Sequence, residues 1–87
     1  MNARRKRADW SRPLPRPLVI PEVMTLKTLA DVRELIEHHL PPAFRAKATW
    51  QYVMARLTES AWGADAADAA IALRMVLTME GVECRPQ

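Results

Sequence analysis

The sequence predicts an all-α protein: a compact three-helix bundle with an extended N-terminal segment and a disordered basic N-terminal arm. Two observations carry this. Apolar residues recur at helical spacing in three stretches, each with its own start and stop signals. The chain has only 87 residues, 49% of them hydrophobic, and buries about 60 to 65% of the surface it exposes when unfolded, enough for one core and too little for a two-lobed enzyme. Two Gly also leave no Gly-rich phosphate loop.

The charge divides the chain before any element is drawn. Residues 1–17 carry Arg4, Arg5, Lys6, Arg7, Arg12 and Arg16 against Asp9, a net +5, and residues 18–87 carry seven Lys and Arg against nine Asp and Glu, a net −2. The first 17 residues therefore read as a basic, proline-punctuated arm, and 18–87 as a single small helical domain. The arm has few apolar groups to offset an ordering cost of roughly 1 to 2 kcal/mol per residue, so residues 1 to about 11 are expected to be disordered. Pro13, Pro15 and Pro17 then force an extended path. They recur every two residues and leave no Pro-x-x-Pro, so the segment reads as a stiff spacer leading into a strand-like Leu18-Val19-Ile20.

The first helix is expected over 28–39. Thr28 is its N-cap, Asp31 completes a capping box, and Leu29, Val32, Leu35, Ile36 and His39 or Leu40 form the buried stripe. Pro41 pushes the residue before it out of the α region and ends the helix near His39. A connection, 41–48, follows, with Phe44 tucked beneath it. The second helix spans 50–62, capped by Thr49, with Trp50, Val53, Met54, Leu57 and Ala61 inward and Gln51, Arg56, Glu59 and Ser60 outward. Gly63 supplies its left-handed C′ residue.

The third helix spans 66–80. Asp65 caps it, Asp68 favours the positive end of its dipole, and Gly81 closes it so that Val82 contacts Leu77. Val82-Glu83-Cys84 is then expected to pair with Leu18-Val19-Ile20 as a two-stranded clasp joining the termini. This helix is apolar at eleven of its fifteen positions. Ala66, Ala69, Ala70, Leu73, Val76 and Leu77 gather on one side, Ile71, Met75 and Met79 on another. Either the second stripe is a partner surface, or Leu18 to Leu26, with Val23 and Met24, lies across it and completes the core.

Two stretches, RPLPRPLVIPEVMTLKTLADVRELI and GVECRP, resemble a group of small helical proteins of alpha-proteobacteria to which no activity is attached. The resemblance agrees with a bacterial, cytoplasmic setting without extending that reading, and carries over no site residue. The lone Cys84 cannot form an internal disulfide, Pro21 and Glu22 interrupt what might pass for a signal sequence, and no run reaches the ~18 apolar residues of a membrane span. A cytoplasmic protein with no membrane association is the expectation.

The chemistry-bearing residues form no cluster. His38 and His39 point about 100° apart on a helix, and Cys84 is the only other soft ligand, so neither a metal nor any other cofactor is expected. Ser11 and Ser60 lie outside any nucleophile turn, Asp65 and Asp68 are occupied by capping, and Glu34 and Glu37 share an exposed edge with Arg33. No catalytic residue and no small-molecule substrate are assigned, and the protein is expected not to be an enzyme. A helix-turn-helix fits the spacing of the last two helices, but Ala66, Ala67, Asp68, Ala69 and Ala70 stand where base contacts belong. Two functions remain. The first is an interaction or regulatory module, binding a protein partner or a second copy through Ile71, Met75 and Met79. The second is a nucleic-acid accessory protein holding phosphates with Arg4, Arg5, Lys6 and Arg7 and stacking a base on Trp10.

Overall fold

The computed structural model describes residues 7–87. Two strands, β1 (Pro13–Ile20) and β2 (Met24–Thr28), form a hairpin, followed by helix α1 (Leu29–Glu34) running into a π-helical turn (Leu35–His39). Then come a one-turn helix α2 (Pro42–Arg45), the long helices α3 (Ala48–Ala61) and α4 (Ala66–Met79), and a two-residue strand β3 (Arg85–Pro86). The strands make an antiparallel sheet in the order β2-β1-β3. The expected all-α helical bundle is therefore incorrect: the fold is mixed, with a three-stranded sheet laid against the helices.

The sheet forms where the sequence reads as spacer. Leu18, Ile20 and Leu26 alternate with outward residues and are buried, so the hairpin has an apolar inner face. Its turn is type II, with Pro21 at the second position, Val23 N–H donating to the Ile20 carbonyl (3.0 Å), and Glu22 at φ 65°. The ladder register shifts between Pro13 and Leu18, which lets Leu14 point inward while Arg16 points out. At the two ends of this stretch the Arg12 carbonyl faces β2, accepting from Leu29 N–H, and the Pro17 carbonyl faces β3, accepting from Gln87 N–H. Pro17 therefore faces the side of β1 on which β3 pairs, so its missing N–H removes no hydrogen bond between β1 and β2.

The C-terminus pairs with β1, but not through the expected residues: Leu18 pairs with Pro86 and Val19 with Arg85, directly after Val82-Glu83-Cys84. Val82 is taken up by the end of α4. Gly81 (φ 73°) donates to the Thr78 carbonyl and Val82 to that of Leu77, the two bonds of a Schellman cap. Gly63 and Ala64 close α3 in the same way, donating to Ser60 and Glu59.

Most helix ends follow the expected chemistry. Thr28 and Asp31 make a reciprocal capping box, and the Asp65 carboxylate accepts from Ala67 N–H (2.9 Å). Thr49 does not cap α3, which starts two residues earlier than expected, behind Lys47. The wider winding of the π turn brings His39 Nε2, five residues on, to 3.5 Å from the Glu34 carboxylate. Ser60, expected on the polar face, is fully buried, and its hydroxyl donates to the Asp65 carbonyl.

The core runs between the inner faces of β1 and β2, α1, α3 and α4, with Trp50, Leu26, Leu29, Leu57, Leu73 and Leu77 fully enclosed and Phe44 stacked on Trp50 at 6.3 Å between centroids. A Lys47–Glu80 ion pair of 2.6 Å ties the start of α3 to the end of α4, as an antiparallel pair requires.

Candidate functional site

Helix α4 is positioned by one face only. Ala66, Ala69, Ala72, Leu73, Val76 and Leu77 are buried against β1 and α3, and this inner stripe agrees with the spacing argument apart from the exchange of Ala70 for Ala72. The hairpin packs on that inner stripe. It does not cross the other one, so Ile71, Met75 and Met79 remain 59%, 57% and 65% exposed. Residues one helical turn apart stack along the axis, and the three make a continuous apolar ridge about 12 Å long.

Tyr52, half exposed on α3, extends the ridge sideways and is a site residue the sequence reading missed. The only signal was an aromatic residue lying off the buried stripe of its helix. Between α3 and α4 runs an apolar groove of about 270 Å³, bordered by Ala48, Thr49 and the exposed Tyr52, Met75 and Met79, with the buried Ala72 and Val76 beneath them. Its lining is almost wholly apolar, which suits an inserted apolar side chain. On the far side of α4, Pro15, Arg16, Ala67, Ile71 and Arg74 border a second depression of about 170 Å³, between the helix and β1. The Arg56 guanidinium lies 5.3 Å from the Tyr52 ring and pairs with Glu59 at 2.7 Å.

The basic arm is placed differently from the ridge. Arg4, Arg5 and Lys6 lie outside the described residues, and Arg7 is exposed. The Trp10 ring is half-buried, with the Arg33 guanidinium 4.2 Å from its centroid, and the Trp10 carbonyl accepts from Ala30 N–H. Asp9 N–H donates to the Ala61 carbonyl, while Arg12 Nη1 donates to those of Ser60 and Ala64. Carbonyls at and beyond the end of α3, some of which the helix leaves unpaired, are thus satisfied by residues 9–12. The Ser11 hydroxyl and N–H, with a smaller contribution from Arg12, hold the Asp9 carboxyl below its usual value.

Elsewhere the candidate chemistry stays dispersed. Among the described residues no three His, Cys, Asp or Glu side chains gather around a point that suits a metal ion. His38 lies 4.0 Å from Glu37, Cys84 is half-buried at the core margin, and Ser11 is engaged with Asp9. The first turns of α4 are partly sunk in the body through Ala66 and Ala69, which is a poor presentation for a recognition helix. No helix among the described residues is long and apolar enough to cross a membrane. Comparison of the chain with protein-family models, with curated proteins and with solved structures returns no match.

Proposed function

We propose that the protein is a non-enzymatic interaction or regulatory module that acts through the outer face of α4. The observation carrying this reading is the exposure of Ile71, Met75 and Met79 together on one ridge beside Tyr52. Single exposed apolar residues are ordinary on a protein surface, whereas a contiguous patch with a groove alongside is characteristic of a binding surface. Unbranched Met side chains suit a surface that adapts to a partner. Trp10 is occupied by Arg33, and no observation among the described residues favours the nucleic-acid alternative.

The test compares the intact protein with Met75→Glu by light scattering and by affinity capture from a lysate of the source organism. A partner, or a dimer, lost in the variant while its circular dichroism is unchanged supports the reading. Identical captured proteins and identical mass for the two chains would refute it.

A further inference from the structure

The outer face of α4 has a charge pattern as well as a shape. Arg74 stands three residues after Ile71 on the same helix, and Arg16 reaches the same depression from β1. Neither guanidinium forms an ion pair among the described residues, whereas Arg56 and Lys47 are matched by Glu59 and Glu80. The one unmatched carboxylate bordering the ridge is Asp68, at the opposite end of α4 from Met79, where the helix dipole already favours it. The face is therefore locally basic on a body, 18–87, whose net charge is −2.

We propose that this face is the docking site for an amphipathic helix of a partner protein, one whose apolar stripe is flanked by Asp or Glu. The proposal rests on the reading of the face as an interaction surface and adds the chemistry of the occupant. A groove between antiparallel helices accepts a third helix through apolar anchors spaced about one turn apart. Here an anchor enters between Tyr52 and Met79 over the small buried side chain of Ala72, and others pack along Ile71 and Met75. Carboxylates on the flank of that helix meet Arg16 and Arg74, whose planar guanidiniums bind them in paired hydrogen bonds.

Charge separates this occupant from the nearest competitors. A second copy brings the same two unmatched arginines to the contact, and like charges across an interface disfavour it. Residues 1–6 bring Arg4, Arg5 and Lys6, again of the same sign. An anionic lipid surface suits the arginines, but a membrane-seated helix face is typically built from Trp, Phe and Leu, and this ridge has none of them.

The experiment is a selection from a library of displayed random helical peptides against the full chain, with binding of the enriched peptides measured in solution. The expected winners have apolar residues at helical spacing and a net negative charge. Their affinity falls at least tenfold in Arg74→Glu or Arg16→Glu and weakens as salt is raised. Winners that are neutral or basic, yet are lost in Met75→Glu, would overturn the acidic partner and leave the interaction surface standing. Winners unaffected by Met75→Glu would remove the surface itself. Absence of enrichment also overturns the proposal. In that case a dimer dispersed by Met75→Glu identifies a second copy as occupant, and binding to phosphatidylserine vesicles identifies a membrane.

Discussion

The inner and outer faces of α4 are made from similar apolar material, yet one is closed and the other open. Inward lie Ala66, Ala69, Ala72, Leu73, Val76 and Leu77, a mixture of small and branched side chains that lets β1 and α3 approach closely. Outward lie Ile71, Met75 and Met79, large and spaced one turn apart, with nothing laid over them among the described residues. Close packing selects for complementary volume, whereas a surface that waits for a partner needs reach and adaptability. Hydrophobicity alone does not separate the buried face from the exposed one, and side-chain shape does.

The sharpest contrast is energetic. Leu73→Ala, at a fully buried position, is expected to cost about 2 to 5 kcal/mol through lost burial and a residual cavity. Met75→Ala, two residues away and 57% exposed, should change stability by no more than about 0.5 kcal/mol. Equilibrium urea unfolding of both variants checks the pair. A similar loss in the two would erase the distinction between the faces.

The inner face depends on β1, so Leu14→Ala should be felt as a core mutation, at about 2 kcal/mol or more, even though it lies in a proline-rich stretch that reads as a linker. Denaturation midpoints test this, and a neutral result would detach residues 13–17 from the body. A smaller effect is expected at the start of α4. Asp65→Ala removes the carboxylate that accepts from Ala67 N–H and should cost about 1 kcal/mol, lowering the thermal midpoint without altering the outer ridge.

In the hairpin turn the expected sign is reversed. Glu22 sits at φ 65°, where a side chain is disfavoured, and Glu22→Gly should stabilise by about 0.5 to 1 kcal/mol in the same unfolding assay. The smallest effect concerns Asp9. Its folded pKa is lowered from 3.8, so its contribution is complete above that value and disappears as pH falls through the lowered one. Asp9→Asn should remove that part of the acid dependence of stability and leave the neutral-pH fold intact.

The helices were readable because their ends carry local chemistry: Thr28 with Asp31, Asp65, Gly63 and Gly81 act through neighbours a few residues away. The sheet was not, because its signals are non-local. β2 has one fully buried residue, Leu26, among half-polar neighbours, too short an alternation to announce a strand. β1 carries three prolines that read as strand breakers and conceal the pairing of Leu18, Val19 and Ile20 with β2. The C-terminal segment does meet β1, but through Arg85 and Pro86 and not the expected Val82-Glu83-Cys84, because Val82 closes the Schellman cap of α4. At the candidate site, the two-stripe pattern of α4 set Ile71, Met75 and Met79 apart from the inner stripe, and all three are exposed. Tyr52, Arg16 and Arg74 joined them through tertiary placement that no spacing rule on one helix contains.

The account turns on the outer ridge being surface in the folded protein. Urea unfolding of Met75→Glu at low micromolar concentration tests this most directly. We predict a two-state transition within about 0.5 kcal/mol of the parent and with the same slope. A loss of more than about 2 kcal/mol, the size expected for a charge forced into a core, would contradict it.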